Sequence, residues 1–351
     1  MSETRHAQIE DLAAADTIID ARTPAEFALD HIPGAINCPV LSDDERRIVG
    51  TTYKQAGAFE ARRIGGAMVA ANLADHLRTR FHERPRDWRP VVYCWRGGLR
   101  SGSMVQWLRL VGWDARQLGG GYKRFRRHVI DTIDTVVPRV KFRVLCGATG
   151  SAKTRVLHAL AARGEQTLDL EGAAEHKGSV LGGIPGIPQP TQKRFETRVA
   201  TRLAGFDLDR VVWVEAESRK IGRIALPTVL LDALRAAPCV EIAASPSARL
   251  AFLLRDYAYL GDDRAHLVGQ LGLLRGLQSN ETIARWIEWA QQGALEPLFQ
   301  ELVALHYDPL YARSQGASFA QLPGRRRVVT DDLDDAAIVA LADVVARGES
   351  T

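Results

Sequence analysis

The chain has 351 residues, 46% of them hydrophobic and 25% charged, and a formal net charge of +4. That length allows two cores of ordinary domain size, the charged content is usual for a globular protein, and the mild basic excess permits a polyanionic partner without demanding one. Cysteines stand at 38, 94, 146 and 239 with no CxxC pair, which argues against a zinc ribbon or dithiol motif and fits a reducing compartment better than a disulfide framework. The N-terminal MSETRHAQIEDLAAAD carries no apolar secretory core. No apolar run reaches the roughly 18 residues of a membrane span, so a soluble cytoplasmic protein is expected.

In chain order, Thr17–Asp20, Ala35–Val40, Val91–Cys94 and Ala115–Leu118 read as buried strands. Pro24–Asp30, Gly66–Phe81 and Arg100–Val111 have helical spacing between them. A basic stretch, Tyr122–Arg143, follows, and Pro138 within it marks a boundary. The alternation resumes with strands at Phe142–Cys146, Thr167–Leu170, Val211–Val214, Val240–Ala243 and Val328–Thr330. Residues Ser247–Ser314 read as mostly helical. Such alternation predicts two α/β domains built on parallel sheets, with limits at 1–135 and 136–351.

In the first half, Val91-Val92-Tyr93-Cys94-Trp95-Arg96-Gly97-Gly98-Leu99-Arg100-Ser101 places a cysteine at a strand end, then a glycine-containing loop, then a helix. Loop amides, the helix N-terminus, Arg96 and Arg100 all favour a thiolate. The cradle, with Gly97 and Gly98, suits a phosphate, thiosulfate or selenophosphate head. A buried strand-end cysteine is the plainer alternative; the paired glycines and flanking arginines argue against it. The segment resembles the rhodanese active-site loop. Asp20-Ala21-Arg22-Thr23-Pro24-Ala25-Glu26-Phe27 and His31-Ile32-Pro33-Gly34-Ala35-Ile36-Asn37 resemble the two motifs that precede that loop in rhodaneses. Five residues separate Cys94 from Arg100, one more than in the common sulfurtransferase loop, a spacing also found in phosphatases of rhodanese ancestry.

In the second half, Gly147-Ala148-Thr149-Gly150-Ser151-Ala152-Lys153-Thr154 follows a strand and opens a helix, as a P-loop requires. Gly147, Gly150 and Ser151 would wrap a diphosphate, Lys153 would reach its terminal oxygens, and Thr154 would hold Mg²⁺. Ala152 departs from the pattern, which has glycine there. Glu215 and Glu217, after a strand, stand where a metal-side acid belongs, or form a solvated strand end. No metal site is assigned from the sequence.

The two domains together resemble the tRNA 2-selenouridine synthase family. Cys94–Ser101, Gly119-Gly120-Gly121-Tyr122-Lys123, Asp169–Gly172, His176–Ser179, Gln189–Glu196, Glu215–Gly222 and His306–Pro309 all match its motifs. The resemblance implies a rhodanese-like domain fused to a P-loop NTPase-like domain with a helical segment. It implies a transferase that replaces sulfur by selenium at C2 of a thiolated wobble uridine in tRNA, through S-geranylation and then a Cys94 perselenide. Selenophosphate and geranyl diphosphate are the implied co-substrates, with no tightly bound cofactor. The implied partners are tRNA and the enzyme that produces selenophosphate, with no membrane partner. Lys123, Arg124, Arg126 and Arg127 are candidate tRNA contacts, with Arg325–Arg327 as a second set; a solvated basic face is the alternative for both. A Cys-x5-Arg phosphatase and a nucleotide-regulated persulfide carrier are the rival functions. Trp286 and Trp289, at helical spacing, are expected in the core.

Overall fold

The computed structural model describes residues 6–311 and 324–348. The chain divides into two compact units, 1–131 and 132–351.

The first unit is built on a five-stranded parallel sheet. Its strands are β1 (His6–Ala7), β2 (Thr17–Asp20), β3 (Ile36–Asn37), β4 (Pro90–Tyr93) and β5 (Arg116–Leu118), in the order β1-β5-β4-β2-β3. Helices α1 (Pro24–Leu29), α2 (Asp43–Ala56), α3 (Ala58–Thr79) and α4 (Leu99–Val111) complete it. The core gathers Ile19, Val92, Met104, Leu108 and the edge-to-face pair Trp88–Trp113. Strands buried on both faces need continuous apolar runs, which is why they stand out in the sequence.

Helix α5 (Gly121–Val136) begins in the first unit and ends in the second. It is the basic stretch of the sequence. Tyr122, Phe125, Val129 and Ile133 recur every three or four residues and are buried, so one face packs inward. Lys123, Arg124 and Arg127 lie exposed and Arg126 half-buried.

The second unit has a parallel sheet ordered β12-β11-β6-β8-β7. Its strands are β6 (Lys141–Cys146), β7 (Gln166–Leu168), β8 (Val211–Glu215), β11 (Cys239–Ala244) and β12 (Arg326–Thr330); β9 (Lys220–Ile221) and β10 (Ile224–Ala225) form a hairpin apart from it. The helices are α6 (Lys153–Ala162), α7 (Leu170–Ala174), α8 (Gln192–Ala204), α9 (Thr228–Ala236), α10 (Pro246–Asp256), α11 (Arg264–Gly272), α12 (Asn280–Gln292), α13 (Leu295–Glu301) and α14 (Asp335–Arg347). A π-helical turn, Leu302–Tyr307, continues α13. The helical run expected over Ser247–Ser314 is thus present as far as Tyr311, and its last residues lie outside the described ones. Trp286 is fully buried in this helical cluster, with its indole N–H on Glu301 at 3.0 Å, and Trp289 packs against it. No described helix is long and apolar enough to cross a membrane.

Three sequence expectations change in extent. The expected strand Ala35–Val40 shrinks to Ile36–Asn37, because Pro39 interrupts the ladder. The helix expected from Gly66 starts at Ala58, and α2 was not expected; α2 is mostly polar, and Ser42 with Glu45 caps it in a reciprocal box.

Candidate functional site

Cys94 follows β4, between β2 and β5, at the carboxyl end of the first sheet. Ligands bind at such strand ends in open α/β sheets. The residue is 3% exposed. Its Sγ accepts from the Gly98 N–H at 3.3 Å and the Ser101 hydroxyl at 3.1 Å. Gln117 Nε2 donates to Ser101 Oγ at 2.8 Å, which aims that hydroxyl at the sulfur. Two donors therefore converge on the one sulfur.

Helix α5 braces the loop from below. The Tyr122 N–H donates to the Cys94 carbonyl at 2.8 Å and the Lys123 N–H to the Trp95 carbonyl at 2.9 Å. A Cβ on Gly121 would sit 2.2 Å from the Cys94 carbonyl oxygen, and its φ is +56°. Only glycine fits there, which gives the triple-glycine motif a physical reason.

The Asp20 and Arg22 motif is scaffold. Both residues are buried and paired at 2.7 Å, and Arg22 also donates to the Asp30 carbonyl and stacks 4.0 Å over the Tyr122 ring. Tyr122 donates its hydroxyl to Asp30 at 2.7 Å. Glu26 receives Arg100 at 2.5 Å. Burial pushes Glu26 up, but the Arg100 hydrogen bond and charge prevail and hold it below the usual carboxylate value. Both terminal nitrogens of Arg100 therefore bond to Glu26. Arg96 lies exposed on the loop.

In the second unit, β6 runs between β11 and β8 and delivers the glycine loop. Lys153 folds back onto the Gly147 carbonyl at 2.8 Å. Thr154 donates to Glu171 at 3.0 Å. Ser151 is 1% exposed, and its hydroxyl has no partner among the described residues. Ala152 adopts φ +58°, ψ +26°, a left-handed conformation that costs a non-glycine residue roughly 1–2 kcal/mol. Its methyl group packs into the core beside Val156 and Phe252, so the departure from glycine is accommodated.

The acids stand close by. Glu215 is fully buried, and one of its oxygens accepts from the Leu170 and Glu171 N–H groups at 2.8 and 2.9 Å. Burial, then the charge of Glu171, raises both Glu215 and Glu217 well above the usual carboxylate value. Among the described residues no group of three or more His, Cys, Asp or Glu is arranged to hold a metal ion.

A cavity of about 590 Å³ opens over this loop. Its lining combines the polar Lys153, Thr154, Arg155 and Lys177 with the apolar or aromatic Phe252, Leu253, Tyr257, Tyr307 and Leu310. A small apolar recess shares Leu253, Tyr257 and Tyr307 with it and continues to Leu181, Phe299, Leu302 and Val303. The π-helical turn supplies Tyr307 and Leu302, a distortion common at functional sites. Arg249 ties that segment to the loop, pairing with Asp308 at 2.6 Å and donating to the Thr149 carbonyl at 2.8 Å.

Several residues here escape sequence reasoning. Ser101 has only its place in the first turn of α4 as a signal. Lys177 reads from its residues alone more readily as a solvated turn, yet it pairs with Asp256 at 2.6 Å and lies 4.2 Å over the Tyr257 ring. The motif glutamines prove to be clamps: Gln189 bonds Ile221 and Arg223, and Gln192 bonds both backbone groups of Ala225, fixing the β9–β10 hairpin. Of the two basic sets, Arg325 and Arg327 converge on Glu241, so they serve the sheet edge.

A rhodanese-like domain model matches residues 4–128, and a tRNA 2-selenouridine synthase AAA domain model matches 140–292. Proteins named tRNA 2-selenouridine synthase are similar along much of the chain. The one from Nitrosomonas europaea is 39% identical over 71% of this chain; the aligned stretch spans 66% of that relative's length. Those from Aeromonas salmonicida (35% identical) and Cupriavidus necator (34%) align over 85% and 90% of this chain and 87% and 93% of their own lengths. The chain therefore belongs to the tRNA 2-selenouridine synthase family, with a rhodanese-like unit bearing Cys94 and a P-loop-like α/β unit bearing the cavity.

Proposed function

We propose that this chain exchanges sulfur for selenium at C2 of a thiolated wobble uridine in tRNA, using its two strand-end sites for two steps. The observation that carries this reading is the mixed lining of the cavity. Lysines and loop amides in it suit a diphosphate, and its aromatic and aliphatic side chains suit a prenyl chain. Geranyl diphosphate has both parts. The apolar recess beyond Tyr307 contains only Thr149 and Ser179 as polar side chains besides the two tyrosines, so it offers little with which to read a nucleobase. Mg²⁺, where present, would take the Thr154 hydroxyl, Glu171 and substrate oxygens, keeping most of its waters. Its charge would compensate the diphosphate.

A thione is a poor leaving group. Sulfur of the 2-thiouridine attacks C1 of geranyl diphosphate, and diphosphate departs with the C1–O electron pair. The S-geranyl group then leaves as a thiolate when selenium attacks C2.

Electron counting moves the role of Cys94 from selenium to phosphorus. Forming a Cys94 perselenide from a thiolate and selenophosphate removes two electrons from sulfur and selenium, and phosphate leaving as P(V) cannot accept them. A balanced course has the selenium of selenophosphate attack C2, expelling geranyl thiolate. The Cys94 thiolate then attacks phosphorus, the S–P bond forms, and the Se–P pair stays on selenium. Water hydrolyses the cysteinyl phosphate. Covalent catalysis thus splits the step in two. The phosphatase-like spacing from Cys94 to Arg100 fits attack at phosphorus, with loop amides and Arg96 against the phosphoryl oxygens and Arg100 bracing the loop through Glu26.

The exposed cations of α5, Lys123, Arg124 and Arg127, are the tRNA backbone contacts in this reading, with Arg126 beside them. The test is nucleoside mass analysis after incubation with 2-thiouridine tRNA, geranyl diphosphate and selenophosphate. 2-Selenouridine should form only when geranyl diphosphate is present. Equal yield without it would refute the two-step course.

A further inference from the structure

S-Alkylation leaves a charge that the sites described so far do not handle. When the sulfur of 2-thiouridine takes a carbon substituent, the ring becomes cationic until N3–H loses its proton. A base lining the cavity near Lys153 and Thr154 would complete that step.

His158 lies on α6, about one turn beyond Thr154 and on the same face, about 6 Å along the axis. It lines the same cavity as Lys153 and Thr154. Its Nε2 is 2.8 Å from Asp169 Oδ2. Asp169 is fixed in turn, because its other oxygen accepts from the Gly172 N–H at the start of α7. The carboxylate sets the tautomer, with Nε2–H donated to Asp169 and Nδ1 left as the basic nitrogen. Two of the cavity's other titratable groups are committed elsewhere. Glu171 accepts from Thr154, and Lys177 is paired with Asp256. In the reacting array only C1, sulfur and C2 separate the leaving oxygen from N3, a span matching the single turn between Thr154 and His158.

We propose that His158, oriented by Asp169, is the catalytic base that removes the N3 proton during S-alkylation of the thiolated uridine. The S–C1 bond forms as the C1–O bond breaks, and diphosphate takes that electron pair. The N3–H bond then breaks, its pair stays on N3 to neutralise the ring, and the proton rests on Nδ1. This rests on the reading that the cavity holds a prenyl diphosphate. The groups facing the imidazole are Asp169, Arg155 and Glu171; the Asp169 hydrogen bond, against the opposing effect of burial, raises the imidazole above its ordinary value. The base is the neutral form, so the rate falls as pH drops through that raised value.

The experiment measures S-geranylation of a 2-thiouridine anticodon stem-loop RNA by the full chain with geranyl diphosphate, as kcat and KM across pH. His158→Gln should lower kcat about 100-fold with little change in KM for geranyl diphosphate. It should also lose the acidic limb, and imidazole should restore part of the rate to His158→Ala. Asp169→Asn keeps an N-cap side chain and should shift the acidic limb to lower pH. A His158→Gln enzyme within twofold of wild type, with an unchanged pH profile, would overturn the base assignment alone. A wild-type chain that forms no S-geranyl product would overturn the prenyl diphosphate reading, and the assignment with it.

Discussion

The loop after β4 and the loop after β6 occupy the same place in two parallel sheets, and they are finished in opposite ways. Around Cys94 the main donors have targets within the protein. Gly98 and Ser101 meet the sulfur, α5 meets the loop carbonyls, and Glu26 holds Arg100. Around the glycine loop the groups wait: Ser151 has no partner among the described residues, Lys153 rests on its own loop carbonyl, and a large cavity stands open. The first site is arranged around one atom the protein supplies. The second surrounds an open cavity.

That contrast can be broken most severely at Gly121. Gly121→Ala puts a methyl group into the Cys94 carbonyl and a side chain at positive φ, so a loss of roughly 2–4 kcal/mol of first-unit stability is expected from overpacking and backbone strain. Thermal unfolding should show it, together with lost selenation. Next is Lys153→Ala, which removes a charge-assisted contact to the diphosphate. KM for geranyl diphosphate should rise about 10- to 100-fold; an unchanged KM would mean the diphosphate sits elsewhere. Ser101→Ala is milder. Losing one hydrogen bond to the thiolate should slow iodoacetamide alkylation of Cys94 about tenfold.

The smallest effect sharpens the comparison on the waiting side. Burial and Glu171 raise Glu215 in the folded state. Its contribution to stability is therefore complete below the unfolded value of about 4.3 and is lost as pH rises through the folded value. Glu215→Gln keeps the acceptor for the Leu170 and Glu171 N–H groups but cannot ionise. It should gain on wild type, on the order of 1 kcal/mol, as pH climbs from about 4.3 toward the folded value, read as a flatter melting temperature against pH.

The two sites differ in how far the sequence revealed them. Strand ends were legible because doubly covered parallel strands are bare apolar runs, and β2 begins and ends where expected, at Thr17 and Asp20. Cys94, Lys153 and Thr154 were legible because their chemistry needs fixed spacing after a strand. The basic stretch hid α5, since its inward residues are diluted among cations. Arg100 looked like a phosphate ligand because its partner, Glu26, is 74 residues away in sequence. His158 and Asp169 are eleven residues apart and meet only because β7 returns beside α6. Local spacing is written in the sequence; pairings across the fold are not.

The central claim is that alkylation in the cavity and phosphoryl removal at Cys94 are separate events. Its most direct test is Cys94→Ser incubated with 2-thiouridine tRNA, geranyl diphosphate and selenophosphate, with nucleosides and released geranyl thiol followed by mass. Geranyl thiol should be released, a selenium-phosphorylated nucleoside should accumulate, and 2-selenouridine should fall at least about 10³-fold. Formation of 2-selenouridine at the wild-type rate would contradict the claim.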